Sequence, residues 1–479
     1  MMGNQPSSPS EHIGKVDGRP VSFTYAENDG VRELAWREIE TEAKGKIANQ
    51  DIISALPVHA HLPNDYTVLY VKPNPAAKDK DALRTSPVVF CSLVLTKPPL
   101  AFVHDHQPPG EACWQLRQDN GQPPNLHIVV STGSGMGQAE SVWELLVKPM
   151  LHHICPTVHN YSLHVTTSEW TVTDLTRDVF LAQANQRVSQ AIILLSGDGG
   201  LVDVVNGLYL KDHTRTYVKP NIALLPLGTG NAMAHSSGIT KDNTLGLRNL
   251  LQGHTKELPL FRASFSPAAR QLVNEGRDER ELQIMNGTPI VHGAVVCSWG
   301  LHATLVADSD TYEYRKFGAE RFQMAAKEAL FPADGSPPHA YRGKVSVLRP
   351  STGRSPMWQP LDSEEHAYVL ATFVSHLEKG FTISPAAKPL DGKLRLVYFS
   401  TMSGQDAMEL MTKAYQGGKH VEDTKLQYED IDGLRIDFDE DDARWRRVCV
   451  DGKIIRIERG GWMEVRAGVQ PCADLIVMG

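Results

Sequence analysis

The stretch LLSGDGGLVDVVNGL, Leu194–Leu208, sets the carboxylate of Asp198 between glycines directly after an aliphatic run. Two further glycine loops lie on either side of it in the chain, STGSGMGQA at Ser131–Ala139 and GTGN at Gly228–Asn231. Without a Cβ, glycine lets the backbone approach an anion closely, and a loop that opens a helix adds free N–H groups and the positive end of the helix dipole. Phosphate is the ligand such loops suit. A carboxylate in the middle loop fits a dinucleotide badly, because it repels a pyrophosphate. It fits phosphoryl transfer better: beside the transferred group it can accept the proton of an attacking hydroxyl, with magnesium offsetting the crowded negative charge. An ionised alcohol is a far stronger base than a carboxylate, so proton transfer comes late and orientation is the main task of Asp198. The plain alternative for this residue is a structural Asx-turn.

No standard single-loop fingerprint accounts for these stretches. GSGMG is not the G-x-G-x-x-G of a dinucleotide turn with its later acidic residue, no G-K-[ST] completes a Walker A loop, and protein-kinase signatures are absent. The evidence lies in the ensemble and in what precedes each loop. LHIVVS, AIILLS and NIALLPL are short buried-strand patterns, each running into a glycine loop and then a helix. After the middle loop, Leu201, Val204, Val205 and Leu208 repeat at i, i+3, i+4 and i+7, one face of a helix. Such alternation predicts a parallel sheet covered by helices, with all three loops at its carboxyl edge, where open α/β folds bind ligands.

The rest of the chain has a different pattern. Residues 1–12 read as a disordered tail, and alternating strands from about 16 to 105 predict a small β-rich domain, ending in the Pro-rich linker at His104–Asn125. Beyond 258 the strands GKVSVLRP, HAYVLATFVSHL, GKLRLVYFS, LRIDFD and RRVCVDGKIIRIE predict a second, largely antiparallel domain, with helices near 312–330 and 404–416. The acidic run Asp437–Trp445 reads as a solvated turn. The expected division is therefore 1–12, 13–122, 123–258 and 259–479.

SGDGGLVDVVNGL and LPLGTGNAMAHS resemble the S/G-G-D-G and P-x-G-[ST]-G-N signatures of the diacylglycerol kinase catalytic superfamily. Within it, V-V-N-G-L and the segment Ser298–Phe322 (SWGLHATLVADSDTYEYRKFGAERF) are most similar to sphingosine (sphingoid long-chain base) kinases. FVSHL, ISPAAKPLDGKLRLVYFS, GGKHVE and CVDGK follow in the family's order, so the likeness runs from Leu126 to the end. The resemblance implies an NAD-kinase-like nucleotide-binding α/β domain followed by a β-sandwich that holds the lipid, with ATP between them. It makes Asp198 the general base. It puts Ser131, Gly133, Gly135, Gly137, Thr166, Ser196, Gly197, Gly199, Asp203, Gly228, Thr229, Gly230, Asn231 and Asp451 around ATP, with Arg315 and Arg321 reaching its phosphates from the second domain. The six-residue spacing of those arginines does not fix a shared helix face, and Gly318 lies between them. Asp308 matches the acidic residue for the lipid amino-alcohol headgroup, with Asp310 and Thr304 as alternatives, and His420 matches the lipid pocket. Two departures stand out. The first loop lacks the family's Asn-Pro and its basic side chain, and the family's D-G-E becomes Asp451-Gly452-Lys453, where Lys453 could restore positive charge near the phosphates.

The expected activity is ATP- and Mg2+-dependent phosphorylation of the primary hydroxyl of sphinganine or sphingosine. Ceramide kinase and diacylglycerol kinase are the same-class alternatives, and a lipid- or nucleotide-binding pseudokinase is the different-class one. Composition is consistent with a globular protein, 41% hydrophobic and 22% charged. With 48 Lys plus Arg against 56 Asp plus Glu, the net charge of −8 argues against nucleic acid. No apolar run is long enough to span a bilayer, so a cytoplasmic location with peripheral contact to an intracellular or plasma membrane is expected. Cys91, Cys113, Cys155, Cys297, Cys449 and Cys472 form no C-x-x-C pair and read as reduced thiols. No metal ligands are assigned: His104–His106 and His152–His153 read as surface histidines. Gly3 with Ser7 would fit N-myristoylation only if Met2 were the initiator; a polar leader is the expected reading.

Overall fold

The strand Gln190–Ser196 is buried at every position, which explains why its sequence is aliphatic on both faces. It pairs in parallel with Asn125–Val130 on one side and Asn221–Pro226 on the other. Tyr161–Val165 extends this sheet beyond Asn125–Val130, so the three expected strands do sit side by side with their glycine loops at one edge. Asp198–Leu208 is helical, and Leu201, Val204, Val205 and Leu208 are all fully buried, as the spacing predicts. The computed structural model describes residues 12–478 except 29, 60–61, 79–82, 109–123, 155–160 and 351–356. The expected tail, Gly3 and Ser7, Cys113, Cys155 and most of the linker therefore lie outside the described residues.

The last strand does not stay with the second domain. Asp474–Val477 pairs in parallel with Asn221–Pro226 and antiparallel with His254–Glu257, completing a six-stranded sheet. Four residues, DLIV, are too short to carry a period that assigns them to one sheet or another. Fifteen other strands form one continuous sheet curled around its own core of Phe261, Trp299, Val345, Val369, Leu396, Leu434 and Val465. The period of two divides this sheet between two cores. Val369 and Ala371 face its interior, whereas Tyr368 and Leu370 pack with Leu201, Val204 and Val205 of the α/β half. The α/β half and the curled sheet thus share a hydrophobic core.

Seven antiparallel strands within His12–Thr96 form the N-terminal sheet, and the helix Leu100–His106 inserts Phe102 and Val103 into its core. Ile53, Leu69 and Val71 of this sheet pack instead with Val142, Leu146 and Met150 of the α/β half. Arg248 reinforces that seam, donating to the carbonyls of Asn49 and Ile52. His106 corrects the surface-histidine reading: it is 2% exposed, and its Nε2 lies 2.8 Å from Asn49 Oδ1. His104, His152 and His153 are exposed as expected. Among the described residues Cys91, Cys297, Cys449 and Cys472 are free, and no helix is long and apolar enough to cross a membrane.

Candidate active site at the glycine loops

Each loop begins where a buried strand ends, and the three loops are in mutual contact. Ser134 Oγ accepts a hydrogen bond from Gly197 N at 3.1 Å, tying the first loop to the second. A Cβ on Gly135 would meet the carbonyl of Leu227 at 2.3 Å, so only glycine allows the first loop to lie on the third. A Cβ on Gly197 would stand 2.6 Å from the Cα of Gly228, and the reverse holds for Gly228. Asn231 adopts the left-handed conformation, φ 52°, and braces its own loop, accepting from Gly228 N at 2.8 Å and donating to Gly228 O at 2.8 Å. Thr166 joins the edge of this assembly: its Oγ1 accepts from Thr132 N at 3.0 Å, and its carbonyl accepts from Thr132 Oγ1 at 2.9 Å. Ser196 is buried at the strand end beneath Gly200. Gly133 and Gly199 have nothing within 4 Å of a Cβ position and leave open space beside the loops.

Asp198 spans the middle and third loops. Its two carboxylate oxygens accept from Ala232 N at 2.7 Å and Met233 N at 2.9 Å, the first amides of the helix Ala232–Ser236. Burial raises its pKa from the ordinary carboxylate value, opposed by those amide hydrogen bonds. The residue is therefore not a self-contained Asx-turn; it fixes one loop against another.

The second domain closes over the same edge. Gly318, φ 55°, breaks the helical run between Tyr312–Arg315 and Glu320–Leu330, and that break lets both arginines turn to one carboxylate. Arg315 Nε lies 3.1 Å and Arg321 Nη1 3.3 Å from Asp310 Oδ1. Gly318 is next to the first loop, where its Cβ would come within 3.8 Å of Met136 Sδ. The carbonyl of Leu377 lies 3.0 Å from a Cβ position on Gly230, so the hairpin around it abuts the third loop. Asn206 Nδ2 and Oδ1 bond the carbonyl and amide of His292, each at 2.9 Å, which gives the V-V-N-G-L segment a structural reason.

Several expected site residues have other partners. Asp451 is buried and accepts from the amides of Ala294, Val295 and Val296 at 2.6, 3.1 and 2.5 Å, so it organises that turn and is closed to a phosphate contact. Burial, with the neighbouring charge of Asp198, pushes its pKa up to about 7 against those hydrogen bonds. Asp203 is ion-paired with Lys453, which spends the charge that Lys453 could have brought to phosphates on joining the two domains. Asp308 faces Arg444 and Arg447, its oxygens 2.8 and 2.7 Å from their Nη2 atoms, and is not open to a cationic headgroup. Both alternatives are also engaged, Asp310 by the arginines and Thr304 by Tyr341 Oη at 2.7 Å. His420 is fully buried, with Nε2 3.1 Å from the carbonyl of Ile383; it is a core residue. Glu440 also departs from the solvated-turn reading, since it is 3% exposed and accepts from Arg342 N at 2.7 Å.

The cradle fits a polyphosphate: glycine backbone at points where a Cβ would collide, open space at Gly133 and Gly199, and two arginines at the rim. It does not form a metal site by itself. Asp198, Asp203, Asp310 and Asp451 are all engaged by protein groups, and among the described residues no group of three or more His, Cys, Asp or Glu clusters for a metal.

These features define a protein whose α/β half presents a cradle of three glycine loops at a sheet edge, roofed by a β domain. Comparison with known proteins makes this specific. The diacylglycerol kinase catalytic domain matches residues 125–263. Sphingosine kinase 1 of Arabidopsis thaliana is 23% identical over 339 residues, 64% of this chain and 63% of that protein. Sphingosine kinase 1 of Homo sapiens is 22% identical over 334 residues, covering 63% and 78%. The match spans somewhat less than two thirds of the Arabidopsis relatives' length, 63% and 66%. A solved putative diacylglycerol kinase from Bacillus anthracis str. Sterne aligns with 74% of this chain and 97% of its own, at 17% identity and a TM-score of 0.48. Residues 125–263 thus match a diacylglycerol kinase catalytic domain, and over 63–64% of its length the chain is similar to sphingosine kinases of Arabidopsis thaliana and Homo sapiens.

Proposed function

We propose that this protein is an ATP-dependent lipid kinase that phosphorylates the primary hydroxyl of a sphingoid long-chain base. The observation that carries the reading is the position of Asp198, whose carboxylate lies at the contact of two glycine loops and is held by two amides. Bound there, ATP supplies the phosphoryl group. Gly133, Gly135, Gly197, Gly199 and the loop Gly228–Asn231 hold its phosphates, and Arg315 and Arg321 face them from the second domain. Asp198 orients the lipid hydroxyl and takes its proton late in the transfer, the task to which a raised pKa adds proton affinity. The α/β half serves as an NAD-kinase-like nucleotide domain and the curled sheet as the lipid-binding domain. The protein's own carboxylates leave magnesium little purchase, so the ion is expected to enter on nucleotide phosphates. The lipid is drawn from a membrane surface by a peripheral protein.

The test is a lipid panel. Purified protein receives labelled ATP, magnesium and, separately, sphinganine, sphingosine, ceramide or diacylglycerol. Labelled sphingoid 1-phosphate is the expected product. Label in ceramide or diacylglycerol alone overturns the substrate, and no label in any lipid overturns the activity.

A further inference from the structure

The first glycine loop has no cation of its own, since Ser131–Ala139 contains neither Lys nor Arg. Three cations that the second domain brings towards the cradle already have anionic partners: Arg315 and Arg321 share Asp310, and Lys453 takes Asp203. Arg84, from the N-terminal domain, differs from all of these. It is exposed, and among the described residues its guanidinium has no hydrogen-bond or ion-pair partner. It also lies against the loop. A Cβ position on Gly137 is 3.5 Å from Arg84 Nε and 3.6 Å from its Cγ.

The backbone on both sides of Arg84 is pinned to this place. Gln138 Nε2 donates to the carbonyls of Leu83 and Thr85 at 3.1 and 3.2 Å. Ser86 N donates to Ser141 Oγ at 2.9 Å. Three hydrogen bonds thus hold the segment 83–86 on Gln138 of the loop and Ser141 just beyond it, while the charged end of Arg84 is left without an anion. A guanidinium offers a planar fork of donors that matches phosphate oxygens, and an unpaired one fixed beside a glycine loop is arranged for an anionic ligand.

We propose that Arg84 is a phosphate-binding residue of the nucleotide site, supplied by the N-terminal domain of the same chain to a first loop that lacks a basic side chain. The inference rests on the reading of the loops as a nucleotide triphosphate site, and it gives the N-terminal domain a direct part in substrate binding.

The test uses the full-length protein and its Arg84→Ala, Arg84→Lys and Arg459→Ala variants, the last removing an exposed arginine elsewhere. Equilibrium affinities for ATP, ADP and AMP are measured by titration calorimetry, with the KM values for ATP and lipid. Arg84→Ala is expected to weaken ATP by about tenfold or more, the scale of one charge-assisted hydrogen bond. ADP should weaken too, and AMP, the lipid KM and the unfolding midpoint should stay at wild-type values. Arg84→Lys should recover part of the loss, and Arg459→Ala should show none. Wild-type ATP affinity in Arg84→Ala, or an equal loss for AMP, overturns the assignment while leaving the nucleotide site intact. A wild-type protein that binds neither ATP nor ADP overturns the nucleotide reading, and this inference with it.

Discussion

Asp198 accepts two amides at the start of Ala232–Ser236, and the glycines beside it make that reach possible. Gly197 and Gly228 touch backbone to backbone, so a side chain on either must push two strand ends apart. Gly228→Ala places its Cβ 2.6 Å from Gly197 Cα, and neither atom belongs to a flexible side chain that could give way. It is expected to lower stability by about 1–3 kcal/mol in urea unfolding, the usual cost of overpacking, and to abolish nucleotide binding. Gly199→Ala is the contrasting case. With nothing within 4 Å and a place in the first turn of a helix, it should leave stability unchanged or slightly higher. It should weaken nucleotide binding, because its Cβ fills the open side of the cradle. Equal destabilisation by both substitutions would contradict this account of the loops.

At the scale of elements, the helix Asp198–Leu208 carries the catalytic-site candidate at one end and ties the two domains together along its length. Asp203 pairs with Lys453, and Asn206 bonds both backbone groups of His292. Asn206→Ala strands an amide and a carbonyl at a part-buried seam, for an expected loss of about 1–3 kcal/mol; an unchanged urea midpoint would refute that role. Much of this helix is legible in the sequence, because the apolar period and the S-G-D-G loop are local signals. The loops are legible for the same reason. Partners brought together by the fold are not. Nothing near Arg84 marks it as a neighbour of Gly137, since the contact depends on how two domains dock. Asp308 looks like a free carboxylate until Arg444 and Arg447 arrive from a distant part of the chain. His106 reads as a surface histidine and His420 as a lipid-pocket residue, and only the packing shows them buried.

The whole molecule is a set of shared cores, and burial leaves its mark on pH dependence. His106, His235, His292 and His302 are each held at about 4, chiefly by desolvation. Unfolded, they protonate near 6.5, so below that pH the unfolded state binds more protons and stability is lost as pH falls towards 4. Burial raises the acids Asp198, Glu378, Asp451 and Asp474, whose contribution is lost instead as pH rises through their folded values. Nine described histidines are depressed against those four acids, so the net effect is destabilisation on acidification. Urea midpoints should fall between pH 7 and pH 5, and a flat or rising profile towards acid would contradict that balance. The most direct test of the function assigned to this architecture is transfer of labelled phosphate from ATP to sphinganine by wild type and by Asp198→Asn, with nucleotide affinity measured on both. The account predicts turnover by wild type and a fall of about a hundredfold or more in Asp198→Asn, the scale of a lost general base, with ATP binding retained. Wild-type turnover in Asp198→Asn would contradict it.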